Sequence, residues 1–186
     1  MKQTTITCIL LLVLANSSLA QPDSASISTR IRAAADSMLT AFRQKDYRTF
    51  ARFNNENLVE ALGGEENFAA FMDKQIKSME GLEFMEIRTG RIIRILPYRN
   101  TWQCIVEQQS QINMEGHVMS SISHLVGLSA DGGYTWHFAD ANQGTLEQFR
   151  TIMPELNPAM PIPKKKLVTD KTLDQLLADY QTSYLP

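Results

Sequence analysis

The sequence has few cysteines, no long apolar run and no excess of charge of one sign. Two cysteines occur among 186 residues, and 18 basic residues nearly balance 20 acidic ones. This balance gives no electrostatic reason to bind the phosphate backbone of a nucleic acid. A bilayer-spanning helix needs about 20 successive apolar residues, and no stretch reaches that length. We therefore expect neither a nucleic-acid partner nor a stable membrane anchor.

The first 20 residues have the pattern of a secretory signal peptide. Lys2 supplies a positive start, Ile6 to Leu14 form a short apolar core, and Ser18-Leu19-Ala20 places small residues where signal peptidase requires them. Cleavage after residue 20 would give an exported protein, periplasmic or secreted. It would also remove Cys8 and leave Cys104 alone, so no internal disulfide is expected.

The rest of the chain is predicted to place helices before strands. Apolar residues recur at three- and four-residue spacing from Ile27 to Phe42 and again from Phe68 to Met79, which is typical of amphipathic helices. From Leu82 the period changes to two, which indicates strands. Turn-like pairs separate the candidate strands and predict a largely antiparallel sheet. These strands are Leu82–Arg88, Arg91–Pro97, Thr101–Asn113, Gly116–Ser129 and Tyr134–Ala139.

This order predicts one α+β domain at residues 21–153, followed by a different C-terminal region at 154–186. Thr145 and Gln148 resemble a capping box that opens a short helix. Four prolines between Pro154 and Pro163 then favour an extended chain, and Lys164 to Lys166 form a basic run. The last amphipathic segment, Leu173 to Tyr180, is expected to dock on the sheet, on a partner or on a second copy.

Period two also assigns even-numbered residues of the long strands to one inward face. That face is aromatic and aliphatic but is interrupted by polar side chains. Such a mixture is typical of a ligand cavity with a few polar contacts, and equally of a plain core whose polar groups pair with one another. The candidate ligand-binding residues are Trp102, Gln108, Ser120, His124 and Trp136.

Few residues favour a particular chemistry. His117 and His124 are seven apart, so on a strand they point to opposite faces, and no metal or other cofactor is expected. Cys104 lies in a strand-like run, where a buried thiol is expected more than a nucleophile. General acid–base catalysis would need a group sunk in the cavity, and the sequence offers His124, with Asp140 near the pocket mouth. We assign no catalytic residue.

The order of parts resembles the nuclear transport factor 2-like superfamily, also called cystatin-like, and in particular its small exported bacterial members. The similarity lies in a long first helix, the segments DYRTFARFNNENLVEALGG and EENFAAFMDKQIKSME, and a following long-stranded sheet. The stretch LSADGGYTWHFADA also resembles a hairpin common in such exported proteins. The resemblance covers about residues 27 to 153.

This resemblance implies a curved sheet wrapped around the first helix as a cone with a pocket, often with a homodimer formed through the sheet. Enzymes of the family, such as the ketosteroid isomerase and polyketide cyclase types, use pocket Asp, Tyr or His residues, which cannot be matched here. We therefore expect a non-catalytic exported protein that binds a small apolar or amphipathic ligand, or a protein partner. The alternatives are a lyase or isomerase that uses His124 with Asp140, and an interaction protein that binds through its C-terminal region.

Overall fold

The structure, a computed structural model, describes residues 24–141 and 146–182. It has the predicted α+β architecture, with N-terminal helices, an antiparallel sheet and short C-terminal helices. The predicted signal peptide and Thr145 of the predicted capping box lie outside the described residues. The elements are α1 Ser24–Arg43, α2 Tyr47–Arg52, α3 Glu56–Ala61, α4 Glu65–Ser78, β1 Leu82–Tyr98, β2 Thr101–Met114, β3 His117–Ser129, β4 His137–Asp140, α5 Leu146–Ile152, β5 Lys166–Thr169 and α6 Leu173–Thr182.

Short polar side chains start the two short helices that follow α1. The carboxylate of Asp46 accepts a hydrogen bond from the Thr49 N–H and caps α2, and the side chain of Asn55 accepts one from the Leu58 N–H and caps α3. The backbone N–H and C=O of Phe138 in β4 bond to the link between these helices, at Phe53 and Asn55. The link between α2 and α3 therefore holds β4, at the edge of the sheet, in place.

The five strands form one antiparallel sheet in the order β1-β2-β3-β4, with β5 also paired to β3. β4 pairs with residues 125–128 of β3, and β5 pairs with residues 119–122. The two short strands therefore occupy successive parts of the same edge of β3. The sequence did not predict β5, because Lys166–Thr169 begins at the last lysine of the basic run and is only four residues long.

The first two predicted strands are a single strand, which corrects the sequence prediction of a turn at Thr89-Gly90. β1 runs from Leu82 to Tyr98 and pairs with β2 throughout, with register shifts between Phe84 and Glu86, Thr89 and Ile92, and Ile92 and Arg94. An extra residue in one strand bends it without ending it. The glycine that suggested a turn lies at one of these bulges.

A two-residue turn at Glu115 and Gly116 sets the faces of the sheet. Both residues have positive φ, 53° and 89°, as a tight hairpin turn requires. Met114 therefore pairs with His117, and every pair of β2 with β3 joins an even-numbered residue to an odd-numbered one. Directly paired residues point to the same side of a sheet. Even residues of β2 and odd residues of β3 form what we call the helix face, and the others form the strap face.

Helix α1 covers the helix face. Its residues Ile27, Ile31, Ala35, Met38 and Leu39 are buried against sheet side chains in one apolar cluster. The sheet side of that cluster consists of Ile87, Cys104, Val106, Leu125, Trp136 and Phe138. The prediction that Cys104 is a buried thiol is confirmed, since its side chain is fully buried and burial raises the pKa of the thiol far above its usual range.

The C-terminal region covers the strap face, and we call residues 146–182 the strap. Its first part packs Phe149, Met153 and Leu156 on Ile105 and Val126 of the sheet. Its last part packs Leu176 and Tyr180 of α6 on Ile122. Of the three docking modes expected for the last amphipathic segment, the structure has the first, docking on the chain's own sheet.

Candidate functional site

A charged cluster lies between the strap face and the strap. The Arg91 guanidinium bonds both carboxylate oxygens of Glu107, with its Nη2 2.8 Å from Oε1 and its Nε 3.3 Å from Oε2. The backbone N–H of Arg91 also donates to Oε2 at 3.1 Å. His124 pairs with Glu107 across the strands and faces the same side. The Glu107 side chain is 1% exposed and that of Arg91 56% exposed, so the cluster runs from the sheet interior to the surface.

The bulge in β1 makes room for this carboxylate. A Cβ on Gly90 would lie 2.8 Å from the Cβ of Glu107 and 2.9 Å from its Oε2, closer than real Cβ contacts allow. The glycine thus permits β1 to pass over Glu107 while Arg91 folds back onto it. The glycine at Thr89-Gly90 is therefore required by the fold. It does not form a turn, but lets the backbone of β1 approach the buried carboxylate of Glu107.

The strap completes the cluster from the outer side. The Tyr180 ring in α6 lies 5.1 Å from the Arg91 Cζ and 4.1 Å from the Lys166 Nζ in β5. The backbone of Pro163 lies close enough to the His124 ring to favour its protonated form. The Nε2 atom of His124 is buried and has no hydrogen-bond partner among the described residues.

Burial and neighbouring charge act in opposite directions on the two titratable groups. Burial alone would raise the pKa of Glu107, but hydrogen bonds and charge from Arg91 outweigh it and hold the pKa below its ordinary value. Burial lowers the pKa of His124, and Arg91 adds to this, against the opposing effects of Glu107 and Pro163. The cluster therefore holds an ionised carboxylate and a neutral imidazole at neutral pH. Its chemical capacity is to accept one proton at His124.

Other polar side chains of the strap face bind backbone atoms of the strap. Gln103 donates to the Glu155 carbonyl at 2.7 Å and accepts from the Asn157 N–H at 2.9 Å. Ser120 donates to the Lys171 carbonyl at 2.7 Å, and Gln111 accepts from the Leu173 N–H at 2.7 Å. These side chains are spaced along β2 and β3, so they hold an extended segment at intervals along its length.

The five predicted ligand-binding residues do not share one face, and the face assignment was wrong for two of them. Trp102, Gln108 and Trp136 belong to the helix face, whereas Ser120 and His124 belong to the strap face. The two-residue turn pairs even residues with odd ones, and the sequence analysis aligned even with even. The turn itself was visible in the sequence, so counting across it would have given the correct faces.

The predicted pairing of His124 with Asp140 is also wrong. Asp140 pairs with Leu125, the neighbour of His124, and successive residues of a strand point to opposite faces. The acid that shares the face of His124 is Glu107. Sequence analysis missed it because period two placed Glu107 on the face taken to be outward, where a charged side chain is expected to be solvated.

A shallow groove of about 400 Å³, open to solvent, lies between α1 and β1. Ala33 and Ile92 give it apolar walls, and Arg32 and Asp36 are exposed charged residues of its lining. Arg32 is tied to the sheet, since its Nη1 donates to the Gly90 carbonyl at 3.2 Å. Ser28 and Thr29 complete the lining. The groove thus combines an apolar surface with both signs of charge.

The loop before β4 is closed by one carboxylate. Asp131 accepts hydrogen bonds from the Ser129 hydroxyl, from the Tyr134 N–H and from both the N–H and hydroxyl of Thr135. Burial opposes ionisation, but these donors outweigh it and lower the pKa of Asp131 to about 2. The arrangement fixes Trp136, whose indole N–H donates to the Gly133 carbonyl. The segment that resembles a hairpin in the sequence is therefore a loop, and its hydrogen bonds fix the conformation of that loop.

Within residues 24–141 and 146–182, no three His, Cys, Asp or Glu side chains come together in a way that could hold a metal ion. In the same ranges, no helix has the length and apolar character needed to cross a bilayer.

Comparison with known proteins returned no match to a family model, to a curated protein or to a solved structure. The resemblance to the nuclear transport factor 2-like superfamily therefore stays a prediction from the sequence.

Proposed function

We propose that this protein is an exported, non-catalytic binding protein that holds a small amphipathic molecule in the surface groove between α1 and β1. The groove between α1 and β1 carries the proposal. Its volume of about 400 Å³ falls within the range of about 300 to 1,000 Å³ that is usual for small-molecule sites.

The lining supports an amphipathic ligand over a purely apolar one. Ala33 and Ile92 would contact the apolar body of the ligand, and Arg32 or Asp36 would bind a polar group at its end. Arg32 is already oriented by its bond to the Gly90 carbonyl, which reduces the entropy lost when it binds a ligand. A ligand with an anionic end is favoured, because Arg32 is the oriented charge.

Thermal unfolding with three amphipathic anions, decanoate, cholate and a sulfated naphthalene dye, tests the proposal. A bound ligand at 100 times its Kd stabilises the folded state by about 2.7 kcal/mol, so at least one compound should raise the melting temperature by several degrees. Ala33→Trp fills the groove and should abolish the shift. Ala70→Trp makes the same change at an exposed position of α4 and should leave it intact.

Flat melts with all three compounds, or a shift that survives Ala33→Trp, would contradict the proposal. A shift lost in both tryptophan variants would also count against it, since only one of them touches the groove.

The lyase or isomerase alternative has less support. Its proposed partners, His124 and Asp140, lie on opposite faces of the sheet, and the strap packs over the face that carries His124. A homodimer formed through the sheet has less support too, because α1 and the strap each cover one face.

A further inference from the structure

His124 lies where the sheet meets the middle of the strap. His124 is 2% exposed, and the backbone of Pro163, three residues before β5 begins, lies against its ring. On either side of this contact, Gln103 holds Glu155 and Asn157, and Ser120 holds Lys171. Among these contacts from the strap face, His124 supplies the side chain that changes charge between pH 5 and 8.

The charged groups near His124 are two cations and one carboxylate, and the carboxylate is already paired with one of the cations. Glu107 of β2 is committed to Arg91 of β1, and from the strap Lys166 of β5 and Tyr180 of α6 face the same cluster. A second positive charge at His124 would thus be buried beside an arginine whose counter-ion is already paired. Burying a charge without its own partner is costly, and opening the strap would let water solvate it.

We propose that the strap from Pro163 onward is a latch that opens when His124 gains a proton, and that opening uncovers the polar strap face around Glu107. This inference is independent of the groove between α1 and β1, because it concerns the opposite face of the sheet.

The direction of the effect follows from proton linkage. In the closed state His124 binds a proton less readily than the ordinary imidazole, whose pKa is 6.5. The open state therefore takes up the proton first as the pH falls below 6.5, and closure weakens over that window. His117 is exposed and lies 3.4 Å from Asp170, which follows β5, so a separate substitution of His117 distinguishes its contribution from that of His124.

Thiol labelling of the full chain tests the latch. Leu176→Cys places a thiol under α6, where the native side chain is 4% exposed, and Cys104 on the helix face reports opening of the whole domain. Labelling with 4,4′-dithiodipyridine, which reacts in mild acid, is read at each position by peptide mass spectrometry. The measured quantity is the labelling rate at position 176 divided by that at Cys104. We expect this ratio to rise at least about threefold from pH 7.5 to 5.5. Since one proton is bound, the rise should not exceed about tenfold per pH unit.

His124→Gln keeps a polar side chain beside Pro163 but cannot be charged, so it should flatten the pH dependence. His137→Gln, at a half-exposed histidine of β4 near Glu56, should leave the dependence unchanged. An identical profile with and without His124→Gln would overturn the proposal, and so would labelling at position 176 that rises only together with Cys104.

If Leu176→Cys does not fold, hydrogen exchange on the unmodified chain gives the same answer. Protection of amides 167–177 relative to those of β2 should fall with pH in the wild type and stay constant in His124→Gln. Constant relative protection in both proteins would likewise overturn the latch.

Discussion

The two faces of the sheet are both covered, but different interactions hold their covers. On the helix face, α1 and the sheet meet through aliphatic, aromatic and thiol side chains, and Cys104 and Phe138 are fully buried. On the strap face, Gln103, Glu107 and Ser120 are equally buried, and two of them bond the backbone of the strap. Apolar burial is nondirectional and strong, whereas each hydrogen bond adds a modest net stabilisation and fixes position. We therefore expect the helix face to determine whether the domain folds and the strap face to determine where the strap lies.

The largest effect should follow from emptying the helix face. Phe138→Ala removes a fully buried ring and should lower the free energy of unfolding by about 3 to 5 kcal/mol, measured by chemical denaturation. Phe71→Ala, at a ring of α4 that is 42% exposed, serves as the control and should cost much less. If the two variants unfold alike, the apolar cluster under α1 is not the main source of stability.

Arg91→Ala should have the next largest effect, because it leaves Glu107 buried without its counter-ion. Loss of one partner of a buried ion pair costs about 3 kcal/mol, and the exposed side of Arg91 places the value at the low end. The wild type keeps the stabilising effect of ionised Glu107 above its ordinary pKa of 4.5 and loses it as the pH falls through its lowered folded value. In Arg91→Ala the backbone N–H of residue 91 still donates to Glu107, but burial loses the opposing guanidinium and raises the pKa of Glu107 above its wild-type value.

The difference in stability between wild type and Arg91→Ala should therefore be greatest near pH 7 and shrink toward pH 4 in denaturation curves. Arg94→Ala changes an exposed arginine of the same strand and should show neither the loss nor its pH dependence. A constant difference across that range would mean that Glu107 is not held ionised by Arg91.

Gln103→Ala should act on the strap alone. It removes two hydrogen bonds to the strap backbone and should cost about 1 to 3 kcal/mol, seen as faster hydrogen exchange in residues 155–160 while the amides of β2 keep their protection. Gln108→Ala changes the same residue type on the helix face of the same strand and should leave exchange in the strap unaltered. Equal loss of protection in sheet and strap would show that the strap is an inseparable part of the core.

Asp131→Asn should give the smallest change in stability, because Asp131 lies in a loop outside both faces of the sheet. Ionised Asp131 stabilises its loop above the ordinary pKa of 3.8, and this contribution disappears as the pH falls to about 2. The wild-type melting temperature should thus fall more steeply than that of the variant between pH 5 and 2.5. Parallel slopes would mean that the carboxylate adds nothing to the loop beyond its shape.

Local patterns predicted most of the elements, and contacts distant in sequence determined the site. The spacing from Ile27 to Phe42 predicts α1, and the turn residues predict the hairpins, because both depend on neighbours in the chain. The fold class followed from the order of these elements. What covers the second face of the sheet did not follow, because the strap binds through its backbone, and backbone groups have no sequence pattern.

The burial of Glu107 in the candidate site could not be predicted from the local sequence either. An acid between Val106 and Gln108 gives no sign of burial, and its partner Arg91 lies 16 residues earlier on another strand. The faces of His124 and Ser120, by contrast, were within reach of the sequence, since the turn at Glu115-Gly116 fixes the parity of the pairing.

That turn has a consequence for natural variation in chain length. One added residue at Glu115-Gly116 would invert all 13 residues of β3, so that Ser120 and His124 would meet α1 and Leu125 would meet the strap. Two added residues would preserve the faces and merely lengthen the hairpin. Insertions and deletions at this hairpin tip should therefore be tolerated in even numbers and selected against in odd ones.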